Sequence, residues 1–432
     1  ALTKLMPAMP QAGRLLVALA VLALQRAQGD LGAAARRRAV EGGALPSSSA
    51  TRQTSGPLVV RLNRVGARAQ GVVHHGHTRD SFYVGNISVG HPPQQLQVLF
   101  DTASGHVLLA HRACKSRACL EHKRYSPWES STAVDVNPDG KAVQKGSRIA
   151  KGPVNRTVVT VAFTQSDLGH GNAKGVLVRD DVCLVSSTQG GEACANLALL
   201  AATKLDDEPF RAMPHDGILG LALEGLAAGA LSSFYERLMD SSHKLLPHFG
   251  MSLGRTSGEI VFGGHDLSRL AAPLSWFPVA RPEEGFWQVE IRAIRVGNDT
   301  VDPCSHGCRG IIDSGSSSLG VEEDRLQKLV HSLKAHSSVG GKCQGPELEL
   351  DLGGFSLVLE AEDYTGTSCE PELGLLDLDP KEFAGVYALG TTVLHRYYTA
   401  FDWAAARVGF APFAVDVSSK PASSAPWEAV VV

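Results

Sequence analysis

The sequence predicts an all-β protein, mainly strands with a few short helices, arranged as two lobes, and three observations carry that expectation. A chain of 432 residues is longer than one hydrophobic core ordinarily serves, so two lobes are expected on size alone. The composition, 20% charged with 45 glycines, suits short strands joined by tight turns, and helical periodicity is scarce. The third observation is a repeat. Val98-Leu99-Phe100-Asp101-Thr102-Ala103-Ser104 and Ile311-Ile312-Asp313-Ser314-Gly315-Ser316 each run an apolar stretch into an aspartate, then turn through small and hydroxylated residues.

An apolar run of that kind reads as a buried strand, in which aspartate is a poor fit. A carboxylate at its end is costly to bury unless donors surround it. Thr102, Ser104, Ser314 and Ser316 offer hydroxyls, and Gly315 lets a backbone N–H approach closely. One such element is most simply a strand ending in an ordinary turn. Two of them, about 210 residues apart, suggest a duplicated unit that brings two carboxylates face to face.

The pair resembles the two Asp-Thr/Ser-Gly-Ser/Thr motifs of the pepsin-like aspartic endopeptidases, among them the divergent alveolate type. Tyr83 to Gly90 and His91-Pro92-Pro93-Gln94 are similar to that family's first mature strands and turn. Asp216 to Leu221 and Tyr387 to Gly390 resemble the apolar-apolar-Gly segments that cross behind the two aspartates, and Val408 to Pro412 resembles the last strand. The match covers about residues 81–413 in order. The resemblance implies a bilobal acid-protease fold, with two pseudo-twofold-related β lobes around a central cleft. Residues 81–275 would carry Asp101 and a flap, and residues 276–413 would carry Asp313.

The resemblance also implies the chemistry. Two carboxyl groups in contact resist ionising together. One serves as general base toward a water while the other keeps its proton and polarises the peptide carbonyl. Asp101 and Asp313 would hold that water, Ser104 and Ser316 would bond the outer carboxylate oxygens, and Thr102 and Ser314 would brace the loops, with Gly315 completing the second turn. An acid optimum follows. A β-hairpin flap is expected between about Thr157 and Val182, with Leu168, Gly169, His170 and Gly171 at its tip. Three residues depart from the family pattern: Ala103 stands where the first motif has Gly, Leu168 where the flap has Tyr, and Leu108 where a Trp follows the motif. Because the Ala103 methyl would crowd the water, the rival reading is a catalytically impaired protein that grips peptides without cutting them.

The remaining segments read in order. Lys4 and Arg14 precede an apolar run from Leu15 to Leu24, so residues 1–29 read as a secretory signal peptide. Residues 30–80 read as a basic propeptide and linker. Positions 31–80 hold eight arginines, no lysine and only two acids, against a net charge of about −11 for residues 81–432. By resemblance, such a propeptide lies across the acidic cleft as an intramolecular inhibitor. Within it, Leu58 to Leu62 alternates like a strand. His74-His75-Gly76-His77 lacks further ligands at metal spacing; no metal and no cofactor are expected.

Eight cysteines behind a signal peptide imply disulfides. The resemblance pairs Cys114 with Cys119, Cys304 with Cys308, and Cys343 with Cys369. Cys183 and Cys194 remain and flank a turn that they can close as a hairpin. Sequons at Asn86, Asn155 and Asn298 suit a secretory glycoprotein, and the last two are the expected sites because Asn86 falls in an expected strand. Helices are expected from Glu322 to Lys334 and from Ala230 to Met239, and residues 414–432 as a flexible tail. The acidic mature part disfavours nucleic acid. Protein or peptide substrates, a monomer without a stable membrane anchor, and an extracellular or acidic vacuolar destination are expected. Gly315-Ser316-Ser317-Ser318 misses the Gly-x-Ser-x-Gly elbow of a serine hydrolase.

Overall fold

The computed structural model describes residues 56–66, 81–146, 148–149, 155–165, 169–185, 187, 192–241, 245–334, 336–337, 342–376, 378 and 383–414. The apolar leader, the His74–His77 cluster, Leu168 and the tail beyond Ala414 lie outside the described residues. The fold is all-β and pepsin-like, as expected, and its repeat is visible in strand pairing. The strand Gln94–Asp101 lies parallel to Gly217–Gly220, with Asp101 opposite Gly220. After the turn, Val107–Ala110 returns antiparallel to the same crossing strand. In the second half Cys308–Ile312 lies parallel to Val386–Leu389, and Leu319–Val321 returns antiparallel to it.

Strands in the middle of such an arrangement are covered on both faces, which is why they read as unbroken apolar runs. Val98, Leu99, Phe100, Ile311 and Ile312 are all buried. The crossing strand of the first half carries glycines because backbone passes very close. A Cβ on Gly217 would fall 2.3 Å from the Leu108 carbonyl oxygen, and one on Gly220 would fall 2.3 Å from that of Ser104.

The two halves are joined by one continuous backbone ladder of 14 strands among the described residues. At its centre lies Leu58–Gly66, within the stretch assigned to propeptide and linker and a strand as its alternation suggested. It pairs antiparallel with Ser257–Phe262 on one side and with Ser81–Val89 on the other. Leu58, Val59, Val60 and Leu62 are buried, and Arg64 donates to the Ser81 hydroxyl (2.9 Å) and the Arg255 carbonyl (2.8 Å). Beyond Ser257–Phe262 the ladder continues through His248–Leu253 to Tyr397–Asp402 and Arg407–Pro412. Trp287, fully buried against Phe401 and Trp403, donates its indole N–H to the Leu221 carbonyl (2.9 Å).

All four disulfides form between the expected partners, 114–119, 183–194, 304–308 and 343–369. The helix expected from Glu322 runs Glu323–Ser332 and buries Leu329. The one expected from Ala230 is shorter, Phe234–Met239. Leu231 adopts φ 64°, a left-handed conformation that no α-helix passes through, so the helix starts only after it. Asn86, Asn155 and Asn298 are all exposed. Among the described residues no helix is long and apolar enough to cross a membrane.

The placement of Leu58–Gly66 makes it a stability determinant. Leu62→Ala is expected to cost about 3 kcal/mol, the ordinary price of truncating a buried leucine, whereas exposed Asn63→Ala should stay within about 0.5 kcal/mol. Chemical unfolding at fixed pH measures both, and equal effects would show that the strand contributes no core.

Candidate active site

Asp101 ends its strand and Asp313 directly follows Cys308–Ile312, and the turn that follows each supplies its donors. Asp101 accepts from the Ala103 amide (2.8 Å) through Oδ1 and from the Ser104 hydroxyl through Oδ2. Asp313 accepts from the Gly315 amide (2.8 Å) and the Ser316 amide (3.2 Å) through Oδ1, and from the Ser316 hydroxyl (2.7 Å) through Oδ2. The two turns therefore share an amide bond to Oδ1 and a serine hydroxyl bond to Oδ2, to which the second turn adds the Ser316 amide. Each presents a carboxylate whose oxygens are already held in place.

Thr102 and Ser314 then lock the turns together across the twofold. The Thr102 amide donates to the Ser314 hydroxyl (3.0 Å), and the Ser314 amide donates to the Thr102 hydroxyl (3.0 Å). Each hydroxyl in turn donates to the strand leading into the opposite aspartate. Thr102 reaches the Ile312 carbonyl (2.7 Å) and Ser314 reaches the Phe100 carbonyl (2.7 Å). Both residues are essentially inaccessible to water, so these bonds are not exchanged for solvent.

The carboxylates are close enough to influence each other. Burial, reinforced by the neighbouring Asp313 carboxylate, raises the Asp101 pKa well above the usual carboxyl range, while the Ser104 hydroxyl and the turn amides pull it back in part. A Cβ built on Gly315 would sit 2.9 Å from Asp101 Oδ1 and 3.1 Å from Asp313 Oδ1. Glycine at 315 thus keeps the space between the two carboxyl groups open. The equivalent residue of the first turn is Ala103, which bears a methyl where Gly315 has none.

A long hairpin flanks the first turn. Val159–Gln165 pairs antiparallel with the start of Gly169–Val185, with Phe163 opposite Gly171 and Gln165 opposite Gly169. Gly169, His170 and Gly171 therefore open the return arm. Gly171 has a packing reason to be glycine, since a Cβ there would fall 1.9 Å from the Glu208 carbonyl oxygen. Asp206 holds the same arm by accepting from the Asn172 amide (2.9 Å).

The residue on the inner side of this hairpin is Phe163. Its ring meets the His106 ring edge to face, with centroids 6.0 Å apart, and meets Phe210 in the same manner at 5.3 Å. The sequence held a signal for it, because Val159, Val161 and Phe163 alternate and all three pack toward the same apolar cluster. His106 had no such signal; a histidine two residues past Ser104 reads as a polar turn residue, yet it is buried. Leu108 belongs to that apolar cluster, beside a small apolar cavity lined also by Phe210 and Ile218.

Comparison with known proteins agrees with this geometry. The eukaryotic aspartyl protease family model matches residues 82–168 and 163–413. Cathepsin E of Aquarana catesbeiana is 30% identical over 349 residues, covering 77% of this chain and 80% of that protein. Gastricsin of Mus musculus is 31% identical over 353 residues, with 77% and 81% covered. Pepsin-2B of Gadus morhua is 30% identical, with 78% and 97% covered. With paired aspartates, interlocked turns and a flanking hairpin in one arrangement, the chain belongs to the pepsin-like eukaryotic aspartyl protease family.

Proposed function

We propose that the protein is an active aspartic endopeptidase that hydrolyses peptide bonds in proteins at acid pH, with a water activated between Asp101 and Asp313. The observation that supports this best is the pair of equivalent turns, each holding a carboxylate by an amide and a serine hydroxyl. One member of the dyad is ionised and takes the proton of the water. The other is protonated and bonds the substrate carbonyl, later passing its proton to the departing amine. The raised Asp101 pKa keeps one proton on the dyad into weakly acid solution, and the titration belongs to the pair.

The impaired-binder reading rests on Ala103 alone. Both aspartates and all their hydroxyl partners are present and bonded, which favours catalysis. Asp101→Asn and Asp313→Asn should each lower kcat on a denatured protein at acid pH by about 10³-fold or more while leaving the fold intact. A folded variant that kept most of its activity would sink the assignment.

The raised Asp101 pKa also fixes a stability trend. The folded state keeps a proton that the unfolded chain has released, so stability falls as pH rises from about 4 through the raised value. Asp101→Asn should flatten that slope in unfolding measurements.

Ala103 and Gly315 provide a second comparison. Gly315→Ala places a methyl against both carboxylates and should lower kcat/KM by about 10²-fold, while Ala103→Gly should raise it by up to about tenfold. An unchanged Ala103→Gly rate would show that the methyl leaves the water undisturbed.

We propose further that the protein enters the secretory pathway as a monomeric zymogen, bound for the exterior or an acidic vacuole, with the basic segment of residues 30–80 as its intramolecular inhibitor. The arginine content of this segment against the acidic remainder supports the reading. Leu58–Gly66 is laddered on both sides, so cleavage near residues 75–80 should leave that strand held in the sheet after the covalent link is lost. Mass spectrometry after acidification and native gel filtration should find the strand-bearing fragment co-eluting with the enzyme, and released by denaturant. An intact chain that is fully active with its arginines attached would rule the zymogen out.

A further inference from the structure

We propose that the disulfide-tied stretch from His111 to Trp128 is a peripheral docking surface that seats reversibly on a bilayer of anionic phospholipid. The inference does not depend on the endopeptidase reading.

The stretch is built as a knot. Cys114 and Cys119 are bonded to each other across its turn. The Arg112 amide donates to the Tyr125 carbonyl (2.7 Å), and the Arg124 guanidinium donates to the Arg112 and Cys114 carbonyls (both 3.2 Å). The two ends of the stretch are thereby held side by side. His111 is buried and accepts from the Ala113 amide (2.8 Å) through Nδ1. Trp128 rests against that imidazole, with ring centroids 4.9 Å apart and planes at 83°.

What the knot shows to solvent differs from the rest of the molecule. Residues 111–129 hold five lysines and arginines against two acids, a net +3, inside a region, residues 81–432, that carries about −11. Arg112, Lys115, Arg117 and Lys123 are exposed, and none of the four enters an ion pair among the described residues. Glu121 is instead paired with Arg211 (2.9 Å), from outside the stretch. Trp128 is 58% exposed and Leu120 is 55% exposed. Single apolar residues on a surface are ordinary, but tryptophan is usually well covered. Here it shares one tied loop with an exposed leucine and four cations that lack a partner.

That combination specifies the occupant. Unpaired cations on an acidic molecule select an anionic partner. A soluble polyanion would use only the charges and leave Trp128 and Leu120 in water. A bilayer uses both. Lipid phosphates face the cations, the indole sits at headgroup level with its apolar body inward, and the leucine enters the acyl boundary. Two apolar side chains and a few charges hold weakly, so the contact is reversible and salt-sensitive and does not amount to an anchor.

The test is co-sedimentation of the full chain, at neutral pH, with vesicles of phosphatidylcholine alone or mixed with phosphatidylserine. Every variant shares the same leader and arginine-rich segment, so differences between variants report the stretch itself. The double substitution Lys115→Glu with Arg117→Glu should lower partition onto the mixed vesicles by about tenfold or more, and added salt should lower that of the wild type. Lys141→Glu with Lys145→Glu makes the same charge change on exposed residues elsewhere and should leave partition within about twofold. Brominated acyl chains should quench a component of the tryptophan fluorescence that Trp128→Phe removes. Equal losses for the two charge pairs, no loss for the first pair, or quenching that survives Trp128→Phe overturns the inference. Trp128→Ser should weaken partition onto the mixed vesicles while leaving binding to soluble heparin unchanged. If it leaves both unchanged, the stretch is a site for soluble polyanions and the inference falls. Should Trp128→Ser fail to fold, Leu120→Ser decides by the same two measurements, with an expected loss of partition of about threefold.

Discussion

The structure depends on bringing two carboxylates together in a buried cleft without letting them push the halves of the molecule apart. Two negative charges in that setting repel, and each resists desolvation. The reciprocal bonds of Thr102 and Ser314 answer this constraint mechanically. Each residue uses its hydroxyl to accept from the opposite turn and to donate to the opposite strand, so neither turn can shift without breaking bonds in both halves. The charge problem is answered by amides and serine hydroxyls on each carboxylate and by the raised pKa of Asp101, which favours its neutral form. The chemistry of the cleft and the cohesion of the fold are thus set by the same few residues.

That dependence explains what could be read from the chain and what could not. The aspartate turns were legible because burial demands a rare local pattern, an apolar run closed by an acid and hydroxyls. The crossing strands were legible because close backbone approach demands glycine at Gly217 and Gly220. The four cysteine pairs were legible because three match a known arrangement and the last two flank a turn. The hairpin was legible in part. The alternation from Val159 identifies a strand and the face on which Phe163 meets His106 and Phe210, whereas Leu168, which the resemblance puts at the tip, lies outside the described residues.

His106 illustrates a second limit. Sequence patterns report burial through hydrophobicity, so a buried histidine is invisible to them. It appears only when the segment after Ser104 is folded against the hairpin, where its ring meets Phe163.

The strand Leu58–Gly66 has a consequence for how the molecule is made. It emerges from the ribosome early, yet one of its two neighbours, Ser257–Phe262, follows about 190 residues later. Throughout that interval one of its edges has no partner, and unpaired edges of this composition invite association with other chains. Pairing across such a separation is slow, because the loop must close before the ladder stabilises it. The central sheet is therefore completed late in synthesis, and the quality of that last pairing governs how much of the newly made protein folds rather than associates.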